Sequence, residues 1–381
     1  MTLPALHLVL LLAASITLAG CHARQENPEA LRPRSSTSSS RARSEPVYFT
    51  NSAAKITLAG TLSLPVGKGS HPAVILITGA GPQDRDETIA GHKPFRVLAE
   101  YLVQRGIAVL RYDDRGVAES TGDYSSATIH DFADDARTAV EFLRSRREID
   151  ANRIGLAGHS EGGIVAPLVA LTIPDEVAFL VLLASPGVTG EEIFYLQDAT
   201  EARVSGVDPA VIERNTSRKR KLFAIIKAEP DQNKAAEQLR AAMKSMLTDE
   251  EAKGLADQGA KLDRMINQQI MLLNNEATRV FLTNNPLPVL ARVTVPVLAL
   301  AGERDVQVPP KVNLPLIEAA LAKGKCPHYS VREMPSLNHL FQTSETGLPR
   351  DYAKIEETIA PAALKEIGDW ISRVARLHPA R

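Results

Sequence analysis

The sequence predicts an α/β fold, in which a mostly parallel central sheet is flanked by helices and carries an inserted helical cap. Strand and helix patterns alternate along most of the chain, which indicates parallel strands covered on both faces. The alternation stops once, over residues 188–288, where helical patterns appear without a convincing strand. At 381 residues with 44% hydrophobic residues, the chain has ample material for one large core.

The elements follow in order from an antiparallel pair of strands at the sheet edge, 47–50 and 56–64. Further strands are predicted at 73–77, 107–111, 154–157, 178–184, 296–301 and 328–333. Helices are predicted at 94–105, 128–147, 163–172, 311–323 and 352–374. The insertion has helices at 209–226 and 233–247, and a long helix that begins at the capping box Thr248-Asp249-Glu250-Glu251. We therefore assign 47–187 and 289–381 to the core and 188–288 to the cap.

The amino terminus has the features of a lipoprotein signal peptide, 1–20. Its apolar run, 8–17, is too short to span a bilayer comfortably, and it ends in Leu18-Ala19-Gly20-Cys21, which resembles a bacterial lipobox. Cys21 would become the lipidated first residue of a flexible, Arg-, Ser- and Pro-rich tether, 21–46. A plain signal peptide or a single anchor is the alternative, since no Lys or Arg precedes the run. We expect a lipid-anchored protein of the bacterial cell envelope, on the periplasmic side of a membrane or at the cell surface.

A tight turn between a strand and a helix contains the most specific motif, Gly158-His159-Ser160-Glu161-Gly162. Gly158 and Gly162 remove side chains that would collide in this nucleophile elbow, and Ser160 takes a strained conformation that exposes its hydroxyl. A structural Gly-rich turn is the alternative. The loop Thr78-Gly79-Ala80-Gly81-Pro82 follows another buried strand. Its Ala80 N–H and the Glu161 N–H are the candidate donors of an oxyanion hole.

These motifs resemble the α/β-hydrolase superfamily, and in particular bacterial serine esterases with an oxyanion loop of the form Gly-x-Gly-Pro-Gln-Asp-Arg-Asp. That loop is 79–86 here, and the other matching stretches are 91–95, 111–116 and 158–163. The resemblance covers residues 47–196 and 290–375, with one departure, because many relatives have His at the position of Thr78. It implies a small-molecule ester as substrate and a reaction without metal or cofactor.

In this superfamily an acid and then a histidine follow the serine along the chain. Asp305, just past the strand at 296–301, is the predicted acid, with Glu303 as its rival. His328, His339 and His378 follow Asp305, and His339 is the predicted base because it lies in a loop at the same sheet edge. A solvated acid and a helix-capping histidine are the structural alternatives.

Together these residues predict a serine hydrolase that cleaves carboxylic esters of small or medium acyl chains through an acyl-enzyme intermediate. The alternatives are a peptidase or amidase with the same triad, and a non-catalytic binding lipoprotein of the envelope. A formal net charge of -1 and the lack of a basic stripe exclude nucleic acid as an expected partner, and no obligate protein partner is evident. Most apolar positions of the last cap helix are expected to pack onto the core domain, and selected ones, for example Met265 and Met271, are predicted to contact an acyl chain.

Three charged segments need a role. We expect Asp84, Arg85 and Asp86 to form ion pairs that hold the oxyanion loop, with a place at the pocket mouth as the alternative. Asp113-Asp114-Arg115-Gly116 is expected to be a salt-bridged turn. The cluster 218–221, Arg-Lys-Arg-Lys, is expected to be a solvated face of a cap helix.

The predicted anchor is tested by the substitution Cys21→Ser. Because lipid attachment adds membrane affinity through buried methylenes, the variant should leave the membrane fraction while its specific activity stays unchanged. Fractionation followed by an activity assay measures both. Unchanged membrane association of the variant would contradict lipidation and favour an uncleaved apolar anchor.

Overall fold

The computed structural model describes residues 43–67, 69–248, 259–324 and 326–377. In this part of the chain, eight strands form one sheet in the order β1-β2-β4-β3-β5-β6-β7-β8. The strands are β1 Arg43–Asn51, β2 Ile56–Leu64, β3 His71–Ile77, β4 Ala108–Tyr112, β5 Ile149–His159, β6 Phe179–Leu183, β7 Val297–Gly302 and β8 Tyr329–Met334. The predicted α/β fold is confirmed.

The sheet is parallel from β4 through β3 to β8, and β1 and β2 pair antiparallel at one edge, as predicted. The carboxyl ends of β3, β5, β6, β7 and β8 therefore meet at one edge of the sheet. The residues of β3, β6 and β7 are almost continuously apolar, as expected for strands buried on both faces. The loops that follow these strands are consequently close together.

Within the described residues, six helices cover the sheet or connect its strands. They are α1 Pro94–Gln104, α2 Ile129–Arg144, α3 Gly162–Thr172, α9 Pro286–Leu290, α10 Pro310–Lys323 and α11 Pro361–Leu377. One face of the sheet packs against α2, α3 and α10, for example through Leu143, Val165 and Ile317. The other face packs against α1 and α11, for example through Leu98 and Trp370. This burial holds the sheet edge in place.

Helices α4 to α8 lie between β6 and α9. They are α4 Gly190–Val204, α5 Pro209–Ala228, α6 Gln232–Ser245, α7 Gly259–Leu273 and α8 Glu276–Thr283. They have a core of their own that includes Leu222, Phe223 and Ile266. Residues 249–251 of the predicted capping box lie outside the described residues.

Three local predictions differ from the structure. First, β1 begins at Arg43, inside the segment assigned to the tether, because Ser44 pairs with Ser63 on β2. Second, the predicted helix 352–374 is a 3₁₀ helix, Pro349–Lys354, and the separate helix α11. Pro361 begins α11 and disfavours helical backbone at the residue before it.

The third difference is at Lys219, which the sequence placed on a solvated face. Lys219 is only 3% exposed and forms an ion pair with Asp198 of α4, and its ammonium lies 5.9 Å from the centre of the Phe194 ring. The pair joins α5 to α4. No helix in the described part of the chain is long and apolar enough to cross a membrane.

Candidate active site

Ser160 lies in a turn that close backbone contacts define. Its φ is +52°, a left-handed conformation that a non-glycine residue adopts at a cost. A Cβ at Gly158 would lie 2.0 Å from the Gly162 carbonyl oxygen, and one at Gly162 would lie 2.3 Å from the Ile77 carbonyl oxygen. Both positions therefore require glycine. The Ser160 N–H donates to the Leu183 carbonyl at 2.8 Å, which fixes the turn against β6.

The structure brings Asp305 and His339 into direct contact. Nδ1 of His339 lies 2.8 Å from Oδ2 of Asp305, and both residues are buried. Oδ1 of Asp305 accepts the N–H groups of Gln307 and Val308 at 2.9 and 2.8 Å, so the carboxylate is fixed by its own loop. An Nδ1–H that donates to Asp305 leaves Nε2 of His339 as a proton acceptor. The rival acid Glu303 instead accepts from the Ser336 N–H at 2.8 Å.

The loop after β3 is tied down on both sides of Ala80. The Gly79 N–H donates to Oε1 of Glu87 at 2.8 Å, and the Gly81 N–H donates to the Tyr124 hydroxyl at 2.7 Å. Within the described part of the chain, neither the Ala80 N–H nor the Glu161 N–H donates to a protein acceptor. Both predicted oxyanion donors are thus available to a ligand.

Two carboxyl groups lie close to this loop without a cation among their hydrogen-bond partners in the described residues. Asp114 accepts from the Thr78 hydroxyl at 2.7 Å and from the Gln83 N–H at 2.9 Å, yet burial raises its pKa well above the usual range. Burial also raises the pKa of Glu161 to about 7. A neutral Glu161 side chain keeps negative charge away from its own N–H, where an oxyanion would form. Thr78, which occupies the position where many relatives have His, is thus the hydroxyl donor to Asp114.

Two of the three charged residues at 84–86, Arg85 and Asp86, form ion pairs as expected, whereas Asp84 accepts the N–H groups of Asp86 and Thr88 at 3.0 and 3.1 Å. Arg85 contacts Asp113 at 2.5 Å, and Asp86 pairs with Arg111 and, at 3.2 Å, with Lys93. These contacts anchor the loop to β4 and to the start of α1. None of residues 84–86 lines the cavity described next.

A cavity of about 380 Å³ lies between the sheet edge and the helices α4, α7 and α8. Its floor includes Ala80, Ser160, Glu161 and His339. Its cap side is formed by Ile193, Phe194, Gln197, Leu272, Asn275, Ala277, Thr278 and Phe281. Among the described lining residues none is lysine or arginine, so the cavity offers no ammonium or guanidinium group to an anionic ligand.

The predicted cap contacts are wrong. Met271 is 77% exposed, and Met265 is half-buried and does not line the cavity. On α7 the neighbouring Leu272 faces the cavity instead, because adjacent residues of a helix lie about 100° apart. Helical periodicity alone could not decide which apolar side of α7 faces the core domain.

Two further residues, Glu87 and His159, were not singled out by the sequence as parts of the site. They are buried beneath the oxyanion loop and contact each other. His159 precedes the serine in the elbow motif, which is the signal that could have found it. Glu87 directly follows the Gln-Asp-Arg-Asp run. The described residues contain no group of three or more His, Cys, Asp or Glu side chains that could hold a metal ion.

Comparison with known proteins identifies the family to which the chain belongs. The family model described as serine aminopeptidase, S33, matches residues 93–341, and the chain belongs to this family of the α/β-hydrolase superfamily. The resemblance to that superfamily is confirmed.

Particular relatives agree with this class. Over 136 residues the chain is 35% identical to esterase EstD of Thermotoga maritima, a match that spans 36% of this chain and 32% of EstD. The fold is similar to the α/β hydrolase GrgF of Penicillium sp. sh18, with a TM-score of 0.54, 17% identity and coverage of 89% and 100% of the two chains. The Pyrococcus furiosus esterase Pf2001 gives a TM-score of 0.50 at 17% identity, with coverage of 88% and 92%.

Proposed function

We propose that the protein is a serine hydrolase that cleaves carboxylic esters with small or medium acyl chains. The proposal rests on how four groups are arranged around one cavity. A strained, solvent-accessible serine shares a cavity with a histidine that a buried carboxylate orients, and two unengaged N–H groups line the same cavity. Nucleophile, base, orienting acid and oxyanion donors are the parts that acyl transfer requires.

The reaction uses these groups in sequence. Oγ of Ser160 attacks the ester carbonyl carbon while Nε2 of His339 takes its proton, and Asp305 stabilises the resulting imidazolium. The Ala80 and Glu161 N–H groups donate to the oxyanion. When the tetrahedral intermediate collapses, the alkoxide leaves with the proton from His339 as an alcohol. Water, deprotonated by His339, then attacks the acyl-enzyme, and the acid leaves as Ser160 recovers its proton.

The lining of the cavity favours esters over peptides. Binding of a peptide terminus needs an opposite charge, and the described lining has no lysine or arginine for a carboxylate. Its carboxyl groups are Glu87, which is buried and engaged, and Glu161, whose pKa of about 7 leaves a large neutral fraction at neutral pH. The apolar side chains of Phe194, Leu272 and Phe281 suit an acyl chain. The match to EstD, an esterase by name, supports the same choice.

The cellular setting is a second part of the proposal. The lipobox-like sequence that ends at Cys21 supports a lipid-anchored enzyme of the bacterial envelope, held at its membrane by the segment that precedes β1. An ester substrate would then be met at the membrane surface or in the adjoining compartment. The next experiment distinguishes this esterase from the two alternatives, a peptidase and a non-catalytic lipoprotein.

The test of the function is the substitution Ser160→Ala. A fluorophosphonate should label the intact protein once, and the variant should fold normally, lose the label and lose ester hydrolysis by at least about 10³-fold. Mass spectrometry of the labelled peptide and a panel of p-nitrophenyl and aminoacyl-anilide substrates make the measurement. Labelling that survives the substitution would place the nucleophile elsewhere. Faster turnover of the anilides than of the esters would identify a peptidase.

Acyl-chain preference should depend on the cap residues that line the cavity. Leu272→Ala or Phe281→Ala should shift the preferred chain length, by about 1–3 kcal/mol per methylene-sized change, or roughly 10- to 200-fold in relative kcat/KM. The exposed neighbour Met271→Ala is the matched control and should keep the wild-type preference. Esters of two to twelve carbons, compared by kcat/KM, make the measurement. Equal shifts in Met271→Ala and Leu272→Ala would contradict this assignment of the cap.

A further inference from the structure

A second histidine–carboxylate pair is buried directly behind the nucleophile. Glu87 is 1% exposed and His159 is 4% exposed. Nδ1 of His159 lies 2.8 Å from Oε1 of Glu87, and Nε2 lies 3.0 Å from the carbonyl oxygen of His339. The rings of His159 and His339 pack with their centres 4.7 Å apart. The mechanism above uses neither Glu87 nor the His159 side chain.

The two contacts of His159 determine how many protons the pair holds. A carbonyl oxygen only accepts, so Nε2 must carry a proton to donate to His339. Nδ1 faces a carboxyl oxygen, so one proton must also lie between Nδ1 and Glu87. Whether that proton resides on the ring or on the carboxyl group, the pair holds one proton more than a neutral imidazole and a carboxylate together.

Oε1 of Glu87 also connects the pair to the oxyanion loop. It accepts the Gly79 N–H at 2.8 Å, next to the proposed donor Ala80. A Cβ at Gly79 would lie 3.2 Å from Cβ of Ser160, 3.3 Å from Oε1 of Glu87 and 3.4 Å from Nδ1 of His159. One continuous path therefore joins the Gly79 N–H, Glu87, His159 and the backbone carbonyl of His339.

We propose that Glu87 and His159 are positioning residues, which hold the oxyanion loop and the loop of the catalytic base in register through one retained proton. The inference rests on the proposed roles of Ser160, His339 and Ala80. Neither residue touches the substrate in this scheme. Loss of the pair should misplace the reacting groups and lower kcat, whereas the acyl pocket, and with it KM, should change little.

The surroundings of His159 support a retained proton. The groups that face its ring are Glu87, His339 and, behind His339, Asp305. Burial alone would lower the pKa of His159, but the Glu87 carboxylate, the carbonyl of His339 and Asp305 together raise it.

The experiment is a double-mutant cycle on the full chain with Glu87→Gln and His159→Phe. Glutamine at position 87 can still accept the Gly79 N–H but cannot hold the shared proton, and phenylalanine at position 159 keeps the ring packing without either hydrogen bond. Each single variant should lower kcat for p-nitrophenyl hexanoate by about 10- to 100-fold with KM within threefold, as a sub-ångström misplacement would. The double variant should be no slower than the slower single variant, because the two act as a unit.

His92→Phe is the matched control. Nε2 of His92 likewise donates to a backbone carbonyl, that of Tyr352, at 3.0 Å, but His92 has no hydrogen bond to His339 or Glu87 among the described residues. Its kcat should stay within about threefold of wild type. Additive losses in the cycle, or single variants with wild-type kcat, would overturn the inference while fluorophosphonate labelling of Ser160 still upheld the proposed function.

The intact protein provides an independent readout if a variant fails to fold. With ¹⁵N-labelled histidine, one buried imidazole N–H signal should persist unchanged from pH 6 to pH 8, since Nε2 of His159 donates in either placement of the shared proton. Its assignment follows from the spectrum of His92→Phe, which should retain it, and from its proximity to His339 in nuclear Overhauser spectra. A His159 signal that titrates in this pH range would overturn the inference.

Discussion

The close approach of the serine turn to the end of β3 is the constraint on which the rest of the site depends. With Gly162 against the carbonyl of Ile77, α3 begins where no side chain could fit. That contact forces the positive φ of Ser160 and brings the Glu161 N–H to the loop that carries Ala80. The parallel sheet then supplies Asp305 and His339 from loops at the same edge. The arrangement of the reacting groups thus depends on how closely the start of α3 packs against the end of β3.

Buried carboxylates support this edge, and each has a specific partner. Asp113 pairs with Arg85, Asp135 pairs with Arg115, and Asp305 holds His339. A buried charge without a partner would cost several kcal/mol, so these pairs are needed to keep the loops in one arrangement. Asp114 and Glu161 differ, since no cation is among their hydrogen-bond partners in the described residues, and burial raises the pKa of both. The site therefore combines carboxyl groups paired with Arg or His at its support with two carboxyl groups, next to the oxyanion donors, that have no such partner in the described residues.

The sequence was most informative where geometry allows few residues. The elbow glycines, the strand runs and the acid after β7 follow from local rules, and the structure places Asp305 against His339 as the pattern indicates. The lining of the cap could not be predicted in the same way. Leu272 and Met271 are adjacent and equally apolar, and only the packing of α7 on its neighbours decides that Leu272 is the one facing the cavity.

Long-range polar contacts were equally hard to predict. Glu87 and His159 are 72 residues apart, and Lys219 and Asp198 belong to different helices. In each case the sequence shows a charged residue in a polar stretch, and tertiary packing alone reveals its burial. The division of 352–374 into a 3₁₀ helix and α11 has a similar origin. The Ala360 N–H donates to the Phe341 carbonyl, so the segment before α11 is bound to the loop of His339.

The proposed site has one geometric requirement: the Ser160 hydroxyl and the Ala80 and Glu161 N–H groups must meet at a single ester carbonyl. It is tested most directly by a crystal structure of the protein after reaction with an alkyl phosphonate, whose tetrahedral phosphorus mimics the intermediate. We expect a bond from phosphorus to Oγ of Ser160 and a phosphonyl oxygen about 2.7–3.1 Å from both the Ala80 and Glu161 nitrogens. The alkyl chain should lie against Leu272 and Phe281. A phosphonyl oxygen turned away from both nitrogens would contradict the assigned oxyanion hole, and an adduct on another residue would contradict Ser160 as the nucleophile.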